Sequence, residues 1–104
     1  MIKQINQKDF AELVENKKGI VVIDFFATWC GPCRMLSPVM ENVSNEVSDV
    51  DFYKIDVDEN EALAMNFQIS SIPCLVLLKD GAPVSRILGY RPLNDIVSWI
   101  NNNK

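Results

Sequence analysis

The most restrictive segment of the chain is a run of seven residues, Ile20-Val21-Val22-Ile23-Asp24-Phe25-Phe26. Six of these residues are apolar, and all six are β-branched or aromatic, which predicts a β-strand. Apolar and polar residues do not alternate along it, as they would in a strand with one exposed face. Such a strand is buried on both faces, so helices have to cover its sheet on both sides. We therefore expect an α/β protein with this strand in the interior of the sheet.

Periodic segments on either side of this strand supply further elements. Asn6 is placed to cap a first helix, and a longer helix follows Cys33 with Pro38 inside it, where we expect a kink. Residues 50–57 indicate a second central strand and residues 61–67 a short helix. Apolar residues recur at helical spacing in the longer helix: Met35, Leu36, Val39, Met40, Val43 and Val47.

The end of the chain has a different pattern. Residues 74–79 and 84–88 flank Asp80-Gly81, a favoured two-residue turn, and indicate a β-hairpin. A last helix follows Pro92. The expected element order begins with a strand and is βαβαβαββα, which implies a mixed sheet of about five strands flanked by four helices. A chain of 104 residues has the usual size of one domain, so we expect a single domain over 1–104.

The absence of histidine and the count of three cysteines exclude several kinds of site. Neither a Ser-His-Asp nor a Cys-His nucleophile system can form, and a zinc site that needs imidazole is impossible. Three cysteines are also too few for a four-thiolate metal site within one chain. We therefore expect no bound metal.

Charge and hydropathy restrict the partners and the location. The net charge is −4 and there is no basic run, which argues against nucleic acid as the main partner. The longest apolar runs, such as residues 20–23, are too short to span a bilayer. Residues 1–5 lack the features of a signal peptide, so we expect a cytoplasmic protein that does not enter membranes. A chain whose leader had been removed would look the same.

Two cysteines stand between the buried strand and the long helix, in Trp29-Cys30-Gly31-Pro32-Cys33. With Cys30 as the N-cap, Pro32 falls in the first turn, where proline is tolerated, and Cys33 is the third helical residue. Two thiols in this arrangement lie within disulfide range. The positive end of the helix dipole and the Cys33 N–H favour the thiolate of Cys30. We interpret Cys30 as a nucleophile and the deeper Cys33 as a resolving thiol.

Other functions are compatible with a lone pair of cysteines. The pair could be structural, or it could be half of a metal site, which the missing second pair and the missing histidines disfavour. The chain could also be a binding module whose apolar surface docks a partner without turnover. Because both cysteines and Asp24 are present, nothing requires this alternative. An iron–sulfur or metal carrier would require two paired chains.

Asp24 is the one carboxylate in the apolar strand. Loss of hydration should raise its pKa and keep it protonated near neutrality. It lies six residues before Cys30, below the base of the cysteine helix, so it could take the Cys33 proton and return it later. If the strand is less buried than its composition indicates, Asp24 is instead an ordinary solvated carboxylate.

Ile72-Pro73 precedes the hairpin, and proline in a central strand is restricted to its first residue. The residues alone favour an ordinary trans turn. A cis bond would instead expose backbone groups at Ile72 for pairing with an extended peptide.

The segment Asp24-Phe25-Phe26-Ala27-Thr28-Trp29-Cys30-Gly31-Pro32-Cys33-Arg34 resembles the active-site segment of the thioredoxin family. The resemblance extends over essentially the whole chain and implies the thioredoxin fold. It continues in further motifs in the same order: Pro38, Lys54-Ile55-Asp56-Val57-Asp58, Ile72-Pro73, Asp80-Gly81 and Leu88-Gly89.

The resemblance implies a protein-disulfide reductase. Cys30 would attack a disulfide in a partner protein, and Cys33 would then attack Cys30, which releases the reduced partner and leaves a Cys30–Cys33 disulfide. Asp24 would be the buried proton-transfer carboxylate, with Lys54 approaching it from the neighbouring strand, and Pro73 would be a cis-proline facing the cysteines. The Gly-Pro dipeptide resembles that of the strongly reducing members.

The resemblance also implies the partners. A flat apolar surface would receive the client protein and would be formed by Trp29, Gly31, Pro32, Ile72, Pro73 and Gly89. A flavin-dependent thioredoxin reductase would reduce the disulfide again, and the protein would act as a monomer without a bound cofactor.

The sequence departs from the family pattern at three positions. Phe26 stands where tryptophan is frequent, and Arg34 stands where lysine is common but keeps the charge. Cys74, directly after Pro73, replaces threonine or another small residue. It is either a small apolar filler or a third thiol near the redox pair, able to form an aberrant disulfide, to be modified or to help bind a metal across a dimer.

Overall fold

The computed structural model describes residues 2–104 and contains a five-stranded sheet with helices on both faces. The order of elements confirms βαβαβαββα. They are β1 (Lys3–Gln4), α1 (Gln7–Phe10, continued as a π-helical turn over Ala11–Glu15), β2 (Ile20–Phe26), α2 (Gly31–Glu46), β3 (Val50–Asp56), α3 (Glu61–Asn66), β4 (Cys74–Lys79), β5 (Ala82–Leu88) and α4 (Leu93–Asn102).

The sheet is mixed, with the strand order β1-β3-β2-β4-β5. Strand β3 runs parallel to both β1 and β2, whereas β4 is antiparallel to β2 and β5 is antiparallel to β4. Strand β2 is therefore central, and all of its residues from Val21 to Phe25 are buried. This confirms the interior strand that its composition predicts.

Alternate residues of the central strands enter two separate cores. Val22, Leu75 and Leu77 pack with side chains of α2 and α4 on one face of the sheet. Val21, Phe25 and Cys74 pack with side chains of α1 and α3 on the other face. Because side chains alternate along a strand, neighbouring residues of β2 and β4 belong to different cores. A fully buried side chain of this kind contributes roughly 1.5–3 kcal/mol to stability.

The helix cap and the hairpin turn that the sequence predicts are both present. The Asn6 side chain accepts hydrogen bonds from the N–H groups of Lys8 and Asp9 and so caps α1. Asp80 and Gly81 both have positive φ, 52° and 85°, as a two-residue type I′ hairpin turn requires. Strand β5 begins directly after this turn, two residues earlier than predicted, because an edge strand tolerates Pro83.

Met35, one of the apolar residues at helical spacing in α2, is 62% exposed. Leu36, Met40 and Val43 are the buried stripe of α2. Met35 precedes Leu36 and is therefore turned about 100° away from that stripe. Among residues 2–104, none of the helices combines the length and apolar character that crossing a bilayer requires.

Candidate active site

Four chain segments meet at one edge of the sheet. The carboxyl ends of β2 and β3 lie there because these strands are parallel. The start of β4 and the end of β5 lie there because each of these strands is antiparallel to its neighbour. The residues that follow β2, from Ala27 to Cys33, are thus brought together with the segment before β4 and the turn after β5.

Cys30 and Cys33 form a disulfide at the start of α2, with their Cα atoms 5.2 Å apart. Cys30 is the N-cap, and its sulfur accepts a hydrogen bond of 3.2 Å from the N–H of Cys33. Pro32 lies in the first turn and has no N–H to offer. The helix start therefore directs a free N–H and the positive end of its dipole at the Cys30 sulfur.

The prediction that Cys33 is the more deeply buried cysteine is wrong. The exposed fractions are 4% for Cys30 and 5% for Cys33, because both pack against Ala27 in one small cluster. The two residues differ instead in their surroundings. Cys33 lines a cleft that also reaches Asp24, and the Cys30 sulfur lies 4.0 Å from the carbonyl oxygen of Ile72.

The Ile72–Pro73 peptide bond is cis, so the trans turn favoured by the residues alone is wrong and the cis bond implied by the family resemblance is present. Proline makes both isomers accessible, and the surrounding structure decides between them. The Gly89 N–H donates to the Pro73 carbonyl at 2.8 Å and ties the turn after β5 to this segment.

Asp24 is buried on β2, with only 6% of its surface exposed, so the solvated alternative is excluded. Among the described residues its Oδ1 atom has no hydrogen-bond partner. Burial raises the pKa of Asp24 from 3.8 to about 7, and the positive charge of Lys54 opposes this increase. Asp24 is thus partly ionised near neutral pH and can both accept and release a proton there.

A cleft of about 280 Å³ gives access to Asp24. Lys54 lies opposite Asp24 in the parallel pairing of β2 and β3, and its Nζ is 5.7 Å from the centre of the Phe26 ring. The cleft is lined by Asp24, Phe26, Ala27, Thr28, Cys33, Arg34, Ser37 and Lys54. One cavity therefore contains the buried carboxyl group, one of the two cysteines and two cationic side chains.

Trp29 is 67% exposed beside the disulfide and is held by a contact that the sequence did not reveal. Its indole Nε1 donates to Asp58 Oδ2 at 2.8 Å, and the Asp58 N–H donates to the Asp56 side chain. Asp58 follows β3 just as Trp29 follows β2. The parallel arrangement of these strands is the signal that could have placed the two residues together.

The residues expected to receive a partner do not all lie at the surface. Trp29 and Pro32 are exposed, and Gly31, Ile72 and Gly89 are half-buried. Pro73 is buried, and its part in receiving a partner stays a prediction. Met35 and Tyr90 are further exposed apolar residues of the chain.

Cys74 packs in a different core cluster from the redox pair. It is fully buried in the core on the α1 and α3 side of the sheet and forms no disulfide. Burial raises the pKa of its thiol, so the thiolate forms less readily. These surroundings support the role of a small apolar filler. Within residues 2–104, no group of three His, Cys, Asp or Glu side chains is arranged to hold a metal ion.

Comparisons with known proteins agree with this geometry. The model of the family described as Thioredoxin matches residues 1–102. A thioredoxin of Chlamydia pneumoniae is 42% identical over 103 residues, which is 99% of each chain. A thioredoxin of Mycobacterium tuberculosis is 43% identical and covers 94% of this chain and 91% of its own. A thioredoxin of Staphylococcus epidermidis is 36% identical over 98% of this chain and 97% of its own.

Proposed function

The chain belongs to the thioredoxin family and is a thiol-disulfide oxidoreductase with the redox-active pair Cys30–Cys33, and we propose that Cys30 is the nucleophile and Cys33 the resolving thiol. The observation that carries this assignment is the hydrogen bond from the Cys33 N–H to the Cys30 sulfur at the start of α2. A thiolate at Cys30 gains the same donor and the helix dipole.

The reduction consists of two exchanges of sulfur–sulfur bonds. The Cys30 thiolate attacks a client disulfide, forms a mixed disulfide and expels one client thiolate. The Cys33 thiolate then attacks the Cys30 sulfur, which breaks the mixed disulfide and expels the second client thiolate. The client gains two electrons, and the protein ends with the Cys30–Cys33 disulfide.

Asp24 is proposed to handle the proton of the second exchange. Cys33 must lose its proton before it attacks, and Asp24 shares its cleft. A carboxyl group whose pKa is raised to about 7 is suited to accept that proton at physiological pH. Lys54 limits this increase through its positive charge, so we assign it an electrostatic role beside Asp24.

The surface around the disulfide is proposed to receive the client. Trp29, Gly31 and Pro32 contribute one side of it, and Ile72 and Gly89 the other. The half-buried Ile72 carries a carbonyl 4.0 Å from the Cys30 sulfur, where an extended client segment could form backbone hydrogen bonds. Pro73, which is buried below this surface, is assigned the role of supporting the Ile72 segment.

Family membership supports client proteins with disulfides and a reductase as general partners. More specifically, we infer that a flavin-dependent thioredoxin reductase renews the dithiol and that the chain works as a cytoplasmic monomer. We also infer that residues 1–104 form one domain, in keeping with a family match over residues 1–102.

An insulin-reduction assay with dithiothreitol tests the assignment of the nucleophile. We expect Cys30→Ser to abolish the catalysed precipitation of reduced insulin, whereas the matched variant Cys74→Ser keeps it. Catalysis that survived Cys30→Ser would overturn the assignment. A Cys33→Ser variant should in addition retain clients as mixed disulfides on Cys30, because the second exchange cannot take place.

A further inference from the structure

The turn after β5 carries an exposed aromatic residue directly after its backbone contact with the segment before β4. Tyr90 is 43% exposed and directly follows Gly89, whose N–H is bonded to the Pro73 carbonyl at 2.8 Å. Ile72 precedes Pro73 in the chain, and its carbonyl oxygen lies 4.0 Å from the Cys30 sulfur. Tyr90 is therefore anchored to the same segment that borders the nucleophile.

Four residues at this end of the sheet follow the order of the strands. Asp58 follows β3, Trp29 follows β2, Ile72 lies just before β4 and Tyr90 just after β5. With neighbouring strands about 4.8 Å apart, this row extends over roughly 14 Å. An extended client segment that crosses the row would reach Tyr90 two or three residues from the cysteine under attack, since a strand rises about 3.3 Å per residue.

Arg91 follows Tyr90 in the chain and adds an exposed positive charge. Its side chain is exposed, and its Nε donates to the Leu88 carbonyl at 3.4 Å. It forms no ion pair with any carboxylate of residues 2–104. At the opposite end of the row, Asp58 carries a negative charge beside Trp29. The surface is thus polarised, with a guanidinium on the β5 side and a carboxylate on the β3 side.

We propose that Tyr90 and Arg91 form a specificity subsite that favours client segments with an apolar side chain next to a carboxylate, two or three residues from the attacked cysteine. The tyrosine ring offers a large contact area at a low entropic cost, and the unpaired guanidinium complements a carboxylate. This inference rests on the proposed function, because the subsite acts only on segments that Cys30 attacks.

Two symmetric peptide disulfides test the subsite. One peptide carries Phe and Glu at the second and third positions after its cysteine, and the other carries Phe and Lys. The pre-reduced protein is mixed with an excess of either disulfide, and the released peptide thiol is measured after an acid quench. The protein dithiol supplies both electrons, so no other reductant is needed. Each rate is divided by the rate of the same variant with hydroxyethyl disulfide, which reports on the exchange chemistry.

We expect the wild type to reduce the Glu peptide about two- to fivefold faster than the Lys peptide, and Arg91→Gln to abolish this preference. Tyr90→Ala should lower the normalised rates with both peptides about three- to tenfold. The matched controls Lys79→Gln and Val84→Ala remove an exposed charge and an exposed apolar side chain at the far end of the hairpin, and they should keep the wild-type rates.

Failure of the subsite is distinguishable from failure of the proposed function. Equal wild-type rates with the two peptides, or a Tyr90→Ala variant that behaves like Val84→Ala, would overturn the subsite and leave the oxidoreductase intact. A wild-type protein that reduced neither peptide nor hydroxyethyl disulfide would overturn the proposed function and the subsite together.

Discussion

Asp24 and Lys54 lie directly opposite each other on the parallel strands β2 and β3, at the base of the cleft that Cys33 lines. Burial disfavours the charged form of Asp24, and the ammonium group of Lys54 favours it. The balance leaves the pKa of Asp24 at about 7. A single change at Asp24 should therefore affect both the exchange chemistry and the stability of the fold.

Asp24→Asn should slow the release of the client more than the formation of the mixed disulfide. Loss of a positioned proton acceptor costs about 10²–10⁴-fold in general, and we expect at least about tenfold here because water in the cleft can substitute. In the wild type the release rate should rise as the pH increases through about 7, because Asp24 then loses its proton. The variant should lack this rise. Rapid-quench kinetics of both steps provide the measurement.

The control for this kinetic prediction is Asp51→Asn, which removes a half-exposed carboxylate of β3 that is paired with Lys17. It should leave both steps and their pH dependence unchanged. Equal slowing of formation and release in Asp24→Asn would contradict the proton-transfer role.

Asp24→Asn should also stabilise the oxidised protein at high pH. Below about pH 4, Asp24 is protonated in both the folded and the unfolded state and has little effect on their balance. The pKa of Asp24 is 3.8 in the unfolded chain and about 7 in the folded protein, so above pH 4 the unfolded chain loses this proton first. The free energy of unfolding therefore declines as the pH rises to about 7 and then levels off. The full shift corresponds to about 4 kcal/mol.

Urea unfolding at pH 4 and pH 8 measures this linkage. At pH 8 we expect Asp24→Asn to gain about 3 kcal/mol in the free energy of unfolding, since the buried amide keeps some desolvation cost. At pH 4 the two proteins should be nearly equal. A gain of the same size at both pH values would show that ionisation of Asp24 is not its cause.

Cys74→Ser should weaken the fold without changing the redox chemistry. Cys74 is fully buried in the core on the α1 and α3 side of the sheet, and a hydroxyl group at this position costs about 1–3 kcal/mol. Cys74→Ala, which introduces no polar group, should lose less. Urea unfolding reports the stability, while the reduction potential, peroxide sensitivity and metal content should match those of the wild type. A change in any of these three would restore a functional role for the third thiol.

Gly81→Ala should destabilise the protein more than Gly19→Ala does. Both glycines have positive φ, +85° and +91°, so alanine adds about 1–2 kcal/mol of backbone strain at either position. A Cβ atom at Gly19 meets nothing within 4 Å, whereas at Gly81 it would meet the backbone carbonyl of Glu15. We expect a further loss of about 1–3 kcal/mol at Gly81 by urea unfolding. Equal losses of stability in the two variants would mean that the end of α1 at Glu15 shifts without cost.

The sequence by itself determined the features that depend on neighbours along the chain. The strand Ile20–Phe26 could be predicted because composition alone indicates burial on both faces. The capping role of Cys30 could be predicted because an N-cap and its donor at Cys33 are three residues apart in any helix start. The burial of Asp24 followed from the apolar residues beside it.

The tertiary structure alone decided which distant residues meet. Strand register places Lys54 opposite Asp24, and the packing of the sheet places Cys74 in a different core from the disulfide. The pairing of β4 and β5 brings Gly89 to the Pro73 carbonyl. The exposure of Met35 likewise depends on how α2 is rotated against the sheet. Strand pairing and helix packing join residues far apart in sequence, so local propensity and spacing carry no information about these contacts.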